Sequence, residues 1–383
     1  MVGNTLRLML TRGLSIIRWN NFPRVVDIKQ MDNVGATLHT ALFLAYDEEK
    51  ISGESIDTLY LMKKIIFTSL ADLILSDINS GTKGYIKKLS PDIFDELYEK
   101  AYDYFLQSEA PEILKRDFKT TLTRTDRELE DTIYFAAKKY VGYYEGSTNS
   151  RVFPDMYEVP MGEMKTELKK LADKLPSLKN LMNSNDSEKY LSHIYRLSFS
   201  MRWNQYGRNT PISVMSHKVV VAYISYIIGM IGNQEGEEND IKDMLYRAIY
   251  HDVPEVITGD IITPTKKAVP GFVELLEEVE KTMMDDYLFG YISPEYKNFV
   301  YSYILEPFDG ESGKLVKYAD IFSALIEAKV EDRIGNQFFH EKYQNILAHI
   351  SHINHPGVEF LLKEILFYFD SNSDDSIRPS YDS

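Results

Sequence analysis

The stretch Tyr246–Lys267, YRAIYHDVPEVITGDIITPTKK, places His251, Asp252, Glu255, Asp260 and Lys266 behind an apolar run of helical period. A neutral imidazole beside a carboxylate offers one nitrogen and one oxygen to a divalent cation. A second carboxylate three or four positions further along a helix lies over the same face, within reach of a water on that cation. The stretch thus points to metal-assisted hydrolysis. Adjacent His and Asp alone are weak evidence, so the reading depends on distant ligands.

Working outward, apolar residues recur at three and four spacings, as in Leu59, Met62, Ile65, Ile66 and Leu70, or Leu315, Ala319, Phe322 and Leu325. Alternating runs with hairpin turns are scarce, which predicts an all-α chain. Turn clusters are expected at 52–54, 79–84, 146–150, 183–187, 232–239 and 310–313, and a frayed polar tail from Ser371. The 383 residues can bury a substantial core without cross-links. With no cysteine there are no disulfides or thiolate ligands, which fits a reducing cytoplasmic location. The N-terminal segment reads as an ordinary first helix, because its apolar run breaks at Thr11-Arg12-Gly13. Val219–Ile231, the most apolar segment, is too short to span a bilayer, so no membrane is expected. A formal charge of −15 argues against a nucleic acid polymer, but a small phosphorylated ligand remains allowed.

The chain also repeats itself. Leu14-Ser15 and Arg18-Trp19-Asn20 match Leu197-Ser198 and Arg202-Trp203-Asn204, which include both tryptophans of the protein. At a shift of 183, Ile66 meets Ile249, Asp77 meets Asp260, Thr82 meets Thr265, Lys83 meets Lys266 and YFAAKK from Tyr134 meets KYADIF from Lys317. This predicts two tandem helical units, 1–180 and 181–383. In the first, Thr68, Ser69, Asp72 and Ala137 stand where the second has His251, Asp252, Glu255 and Asp320, so the first should hold no metal. His39 is aligned with His217 only by lengthening a loop. In the second unit, His217 opens the buried helix HKVVVAYISYII and Asp320 lies on another helix. Two His and two Asp suit Mn, Co, Fe, Zn or Mg, with positions left for water and a substrate oxygen.

The set Arg202-Trp203, His217, His251-Asp252, Glu255, Asp260 with the following Thr-Pro-Thr-Lys, and Asp320 resembles the HD-domain superfamily of metal-dependent phosphohydrolases, in its YfbR-like 5'-deoxynucleotidase branch. The resemblance implies that His217, His251, Asp252 and Asp320 hold the metal and that Glu255 is the acid or base beside the attacking water. It further implies that Arg202 binds the phosphate, Trp203 crowds the sugar 2' position and Asp260 contacts sugar or water; Lys266 could add charge near the phosphate. Members of the branch commonly work as dimers, so the fold class becomes two HD-like units forming an intrachain pseudo-dimer, either monomeric or further assembled. The activity expected is removal of phosphate from deoxyribonucleoside 5'-monophosphates. The alternatives are a dNTP triphosphohydrolase and a catalytically inactive nucleotide-binding or interaction protein. Two departures stand out: Ser216 replaces an often acidic residue before His217, and Pro254 interrupts the helix before Glu255. His349, His352 and His355 lack an accompanying carboxylate and read as helix-end residues.

Overall fold

The computed structural model describes residues 2–106, 110–259, 261, 265 and 268–370. It is all-α, and among the described residues the only β-type pairings are two isolated bridges, Ile17 with Lys29 and Met201 with Ser213.

Two long helices, Gln30–Ser52 and Val214–Gln234, pack on each other at the centre. Gly35 permits this approach, because a Cβ there would lie 2.6 Å from Met215 Sδ. Gln30–Ser52 also packs against Glu128–Ser150, whereas Val214–Gln234 is surrounded by Ile241–Tyr250, Gly310–Arg333 and Pro356–Asp370. The N-terminal helix Val2–Ser15 lies on Pro356–Asp370, so the two halves interlock.

A helix apolar on every face must be covered on every face. Val214–Gln234 satisfies this: His217, Lys218, Val219, Val220, Val221 and Ala222 in succession are buried. At 21 residues it exceeds the apolar run read from the sequence, and its length and composition would suffice to cross a membrane, yet 94% of its most apolar 18-residue stretch is buried within the protein.

Three expected turns are helical: 310–313 opens Gly310–Arg333, and the other two lie at 79–84 and 146–150. Asn79 caps Ser80–Leu89 by accepting the Thr82 N–H at 2.9 Å, and Gly146 lies inside Glu128–Ser150. Glycine is required there for packing, since a Cβ would meet Met161 Sδ at 2.5 Å and the Trp19 ring at 3.0 Å. The tail from Ser371 lies outside the described residues.

Candidate metal centre

Ser213 starts the Val214–Gln234 helix, its hydroxyl accepting the Ser216 N–H at 2.9 Å. One turn in, His217 points inward and is fully buried. The Ile241–Tyr250 helix stops before Pro254, and His251 and Asp252 occupy the turn that follows it. Helix resumes at Glu255–Thr258. Asp252 and Glu255 are therefore not on one continuous helical face, as the spacing alone suggested. On Gly310–Arg333, Asp320, Ser323, Glu327 and Glu331 follow at intervals of three and four and share a face.

These segments bring His217, His251 and Asp252 within 4.8 Å of one another, and Asp320 adjoins this trio through His217. His251 Nε2 lies 3.0 Å from Asp252 Oδ2, His217 Nε2 lies 3.2 Å from Asp320 Oδ1, and His217 Nε2 lies 3.7 Å from Asp252 Oδ2. Ligands on arms of about 2.1 Å at right angles stand about 3 Å apart, so the spacing fits a shared cation. Each imidazole is pinned through its other nitrogen. His251 Nδ1 lies 2.8 Å from the Ala248 carbonyl, which can only accept, and His217 Nδ1 lies 3.0 Å from both Glu327 Oε1 and Ser323 Oγ. Both rings then turn an Nε2 lone pair inward. His217 Nε2, His251 Nε2 and Asp252 Oδ2 are buried without a hydrogen bond, an arrangement costly for a polar cluster and natural for a metal-ligand set. Among the described residues, no other His and carboxylate side chains group in this way, the C-terminal histidines included.

Burial opposes ionisation of Asp252, but positive charge in this cluster, carried by His251 and His217 when no cation is bound, holds its carboxyl well below the usual range. Asp320 is likewise held low against burial, by His217 and Lys317. Burial acts against the Arg202 guanidinium too, but Glu327, Asp320, Asp252 and Glu255 keep it charged. Arg202 Nη1 stands 3.6 Å from Asp252 Oδ2. Trp203 adopts φ 57°, a left-handed conformation unusual for a bulky residue, and its ring packs on Phe339 with centroids 5.5 Å apart. Asp260 and Lys266 lie outside the described residues.

Several participants were not read from the sequence: Glu327, Ser323, Arg208, Lys218 and Asp32. The signal for Glu327 was its place two turns after Asp320, but a helix glutamate is by default solvated. The concern over Ser216 also resolves. Glu327 and Ser323 orient His217, while Ser216 Oγ donates to Asp32 of the other half at 2.7 Å.

The first half repeats this geometry with other chemistry. Trp19 also has φ 57°, its indole donates to Glu145 as that of Trp203 donates to Glu327, and Asn33 Nδ2 reaches Glu145 Oε1 at 2.7 Å where His217 reaches Glu327. These bonds correct two pairings. Asn33, not His39, is the counterpart of His217; His39 instead accepts from Lys218 Nζ at 2.9 Å. Lys138, not Ala137, stands opposite Asp320, since each lies seven residues before its glutamate. An ammonium thus sits where the second half has the Asp320 carboxylate. Lys138 Nζ and Lys83 Nζ lie 2.9 and 3.0 Å from Asp72, which also accepts from Tyr98 OH at 2.6 Å. The cavity beside them, lined by Asn33, Ser69, Asp72 and Lys138, has about 10 Å³ available, room for one water.

Residues 189–369 match the family model described as 5'-deoxynucleotidase YfbR-like. A 5'-deoxynucleotidase of Shewanella oneidensis is 24% identical over 188 residues, covering 48% of this chain and 95% of that protein. One from Yersinia pestis is 25% identical over 195 residues, covering 50% and 98%. Among solved structures, an HD-domain phosphohydrolase from Listeria innocua aligns with 27% identity and a TM-score of 0.44, over 48% of this chain and 88% of its own.

Proposed function

Since residues 189–369 belong to the YfbR-like branch of the HD-domain phosphohydrolases, a family of hydrolytic enzymes, we propose that this chain removes phosphate from deoxyribonucleoside 5'-monophosphates at a single metal site in its C-terminal half. The observation that carries the reading is the convergence of His217, His251, Asp252 and Asp320, with two imidazole nitrogens and a carboxylate oxygen buried and without hydrogen bonds. A divalent cation bound there would polarise a phosphoryl oxygen and make water a better nucleophile near neutral pH.

The remaining roles belong to the chain itself. Arg202 forks onto the substrate phosphate; its contacts to Asp252 and Glu327 are long, 3.6 and 3.5 Å, which leaves N–H groups for phosphate oxygens. Glu255, on the helix that restarts after the ligand turn, takes the proton of the attacking water and passes it to the leaving sugar oxygen. Trp203 walls the sugar and leaves no room for a 2'-hydroxyl. Asp260 is assigned to sugar or water contact and Lys266 to charge near the phosphate. The first unit, 1–180, is the degenerate partner of the second, 181–383, and the two form a pseudo-dimer within one chain.

Purified protein supplied with Mn or Co and a nucleotide panel should release inorganic phosphate from deoxyribonucleoside monophosphates. Release of triphosphate alone, from triphosphates, would replace this reading with the triphosphohydrolase. Absence of hydrolysis with every cation would leave a binding protein. His251→Ala and Glu255→Ala should each lower kcat by about 10²-fold or more. Elemental analysis should find one metal equivalent per chain, lost in Asp320→Ala; two equivalents would contradict a single site.

A further inference from the structure

Glu327 is fully buried and reaches His217, Arg202 and Trp203 at once. Its Oε1 accepts from His217 Nδ1 at 3.0 Å and from Ser323 Oγ at 3.2 Å, and stands 3.5 Å from Arg202 Nε. Its Oε2 accepts the Trp203 indole N–H at 2.8 Å and stands 3.4 Å from Arg208 Nη1. One carboxylate is therefore common to a metal ligand, the phosphate-binding guanidinium and the sugar wall.

From this geometry we infer that Glu327 is a positioning residue that sets both the cation affinity and the discrimination at the sugar 2' position; the inference rests on the deoxynucleotidase reading and deepens it. A carboxylate behind a ligand imidazole fixes its tautomer and raises its basicity, and loss of such a partner typically weakens metal binding 10- to 100-fold. The indole bond acts on the other property. Trp203 is held at φ 57°, where a bulky side chain is strained, and its N–H anchor on Glu327 fixes where the ring edge stands. An amide in place of the carboxylate has one acceptor oxygen for donors that face both carboxylate oxygens, and its NH₂ turns at least one contact into a donor–donor clash.

The molecule contains its own control. Glu145 receives the Trp19 indole at 3.2 Å, pairs with Arg18 at 3.2 Å and accepts from Asn33 at 2.7 Å, the same packing with no ligand histidine in front of it. A merely structural role for the buried glutamate would make Glu145→Gln and Glu327→Gln alike.

The test compares wild type, E145Q and E327Q after chelator stripping, with manganese affinity from calorimetry and the ratio of kcat/KM for a deoxyribonucleoside over a ribonucleoside 5'-monophosphate. E327Q should bind manganese 10- to 100-fold more weakly and lose about tenfold of the sugar ratio, while E145Q stays within about twofold of wild type in both. Should E327Q fail to fold, E327D, which keeps the charge but withdraws it from both donors, is read in its place. The inference is overturned if either quantity stays within twofold of wild type in the folded variant, or if E145Q shifts both equally. A wild-type chain that hydrolyses no nucleotide overturns the deoxynucleotidase reading instead; the calorimetric comparison, which needs no turnover, then still decides the cation half.

Discussion

Asp32 and Ser216 lie three residues after the N-caps Lys29 and Ser213 of the two central helices, and they meet where those helices cross. Asp32 Oδ1 accepts from the hydroxyls of Ser216 and Ser213, and Oδ2 accepts the Lys29 N–H at 2.8 Å. Burial nevertheless wins over these bonds and pushes its carboxyl up to about 6. With the folded value above the unfolded one, the folded state binds more protons between pH 3.8 and about 6. The contribution to stability is thus fully present below that window and lost as pH rises through it. Relative to Asp32→Asn, wild type should lose about 2–3 kcal/mol across the window, read from denaturant unfolding of the metal-free protein; a relative gain with pH would refute the assignment. The opposite case is Asp72, which two lysines hold well below the usual range against burial. Its contribution is present above the ordinary carboxylate value and lost only in strong acid. Lys138→Met should cost about 1–3 kcal/mol, discounted from a fully buried pair because the lysine is partly exposed. It should leave metal stoichiometry unchanged.

Helices were legible wherever polar and apolar residues alternate at helical period, and so was the His–carboxylate cluster, because His217 and Asp320 interrupt otherwise apolar faces. Breaks were less legible, since glycine carries two meanings. Gly53 ends its helix at φ 71°, as a turn residue should, whereas Gly146 sits mid-helix because Trp19 lies against it. No local pattern separates the two cases; only the distant partner does. The same blindness hid Glu327, whose contacts, Ser323 apart, come from His217, Arg202, Trp203 and Arg208, all more than a hundred positions away. The one-residue slip that paired Ala137 with Asp320 has a similar origin: neighbouring apolar positions fit either register, and Glu145 fixes it only through Trp19. Gly357 belongs with Gly146. A Cβ there would lie 2.4 Å from the Ile228 carbonyl oxygen and 2.7 Å from its Cα, both backbone atoms that cannot rotate away. Gly357→Ala should force the Pro356–Asp370 helix off the central helix and cost about 1–3 kcal/mol, seen as a lower Tm. Gly53→Ala, with nothing within 4 Å, should cost only the strain of its positive φ.

The whole molecule is one interlocked bundle in which the first half completes the second. Asp32 holds Ser213 and Ser216 beside His217, His39 receives Lys218, and Tyr250, next to His251, packs edge-on against His39 with ring centroids 4.9 Å apart. Lys218 is buried enough that its pKa falls to about 7, despite the nearby Asp252 and Glu255. Residues 181–383 expressed alone would uncover this face of Val214–Gln234, leaving Met215 and Lys218 against water. The exposed surface is apolar, and its natural replacement is a second copy of the same face, related by a two-fold axis. In such a pair Ser216 would meet Ser216 without charge, and Lys218 would face Tyr223, which holds the place of His39. The isolated half should therefore run as a dimer in size-exclusion chromatography, and added residues 1–180 should convert it to a heterodimer, because only that half brings the Asp32 acceptor and the His39 nitrogen. A stable monomer at micromolar concentration, with its metal affinity intact, would mean that the first half is not needed to shape the site.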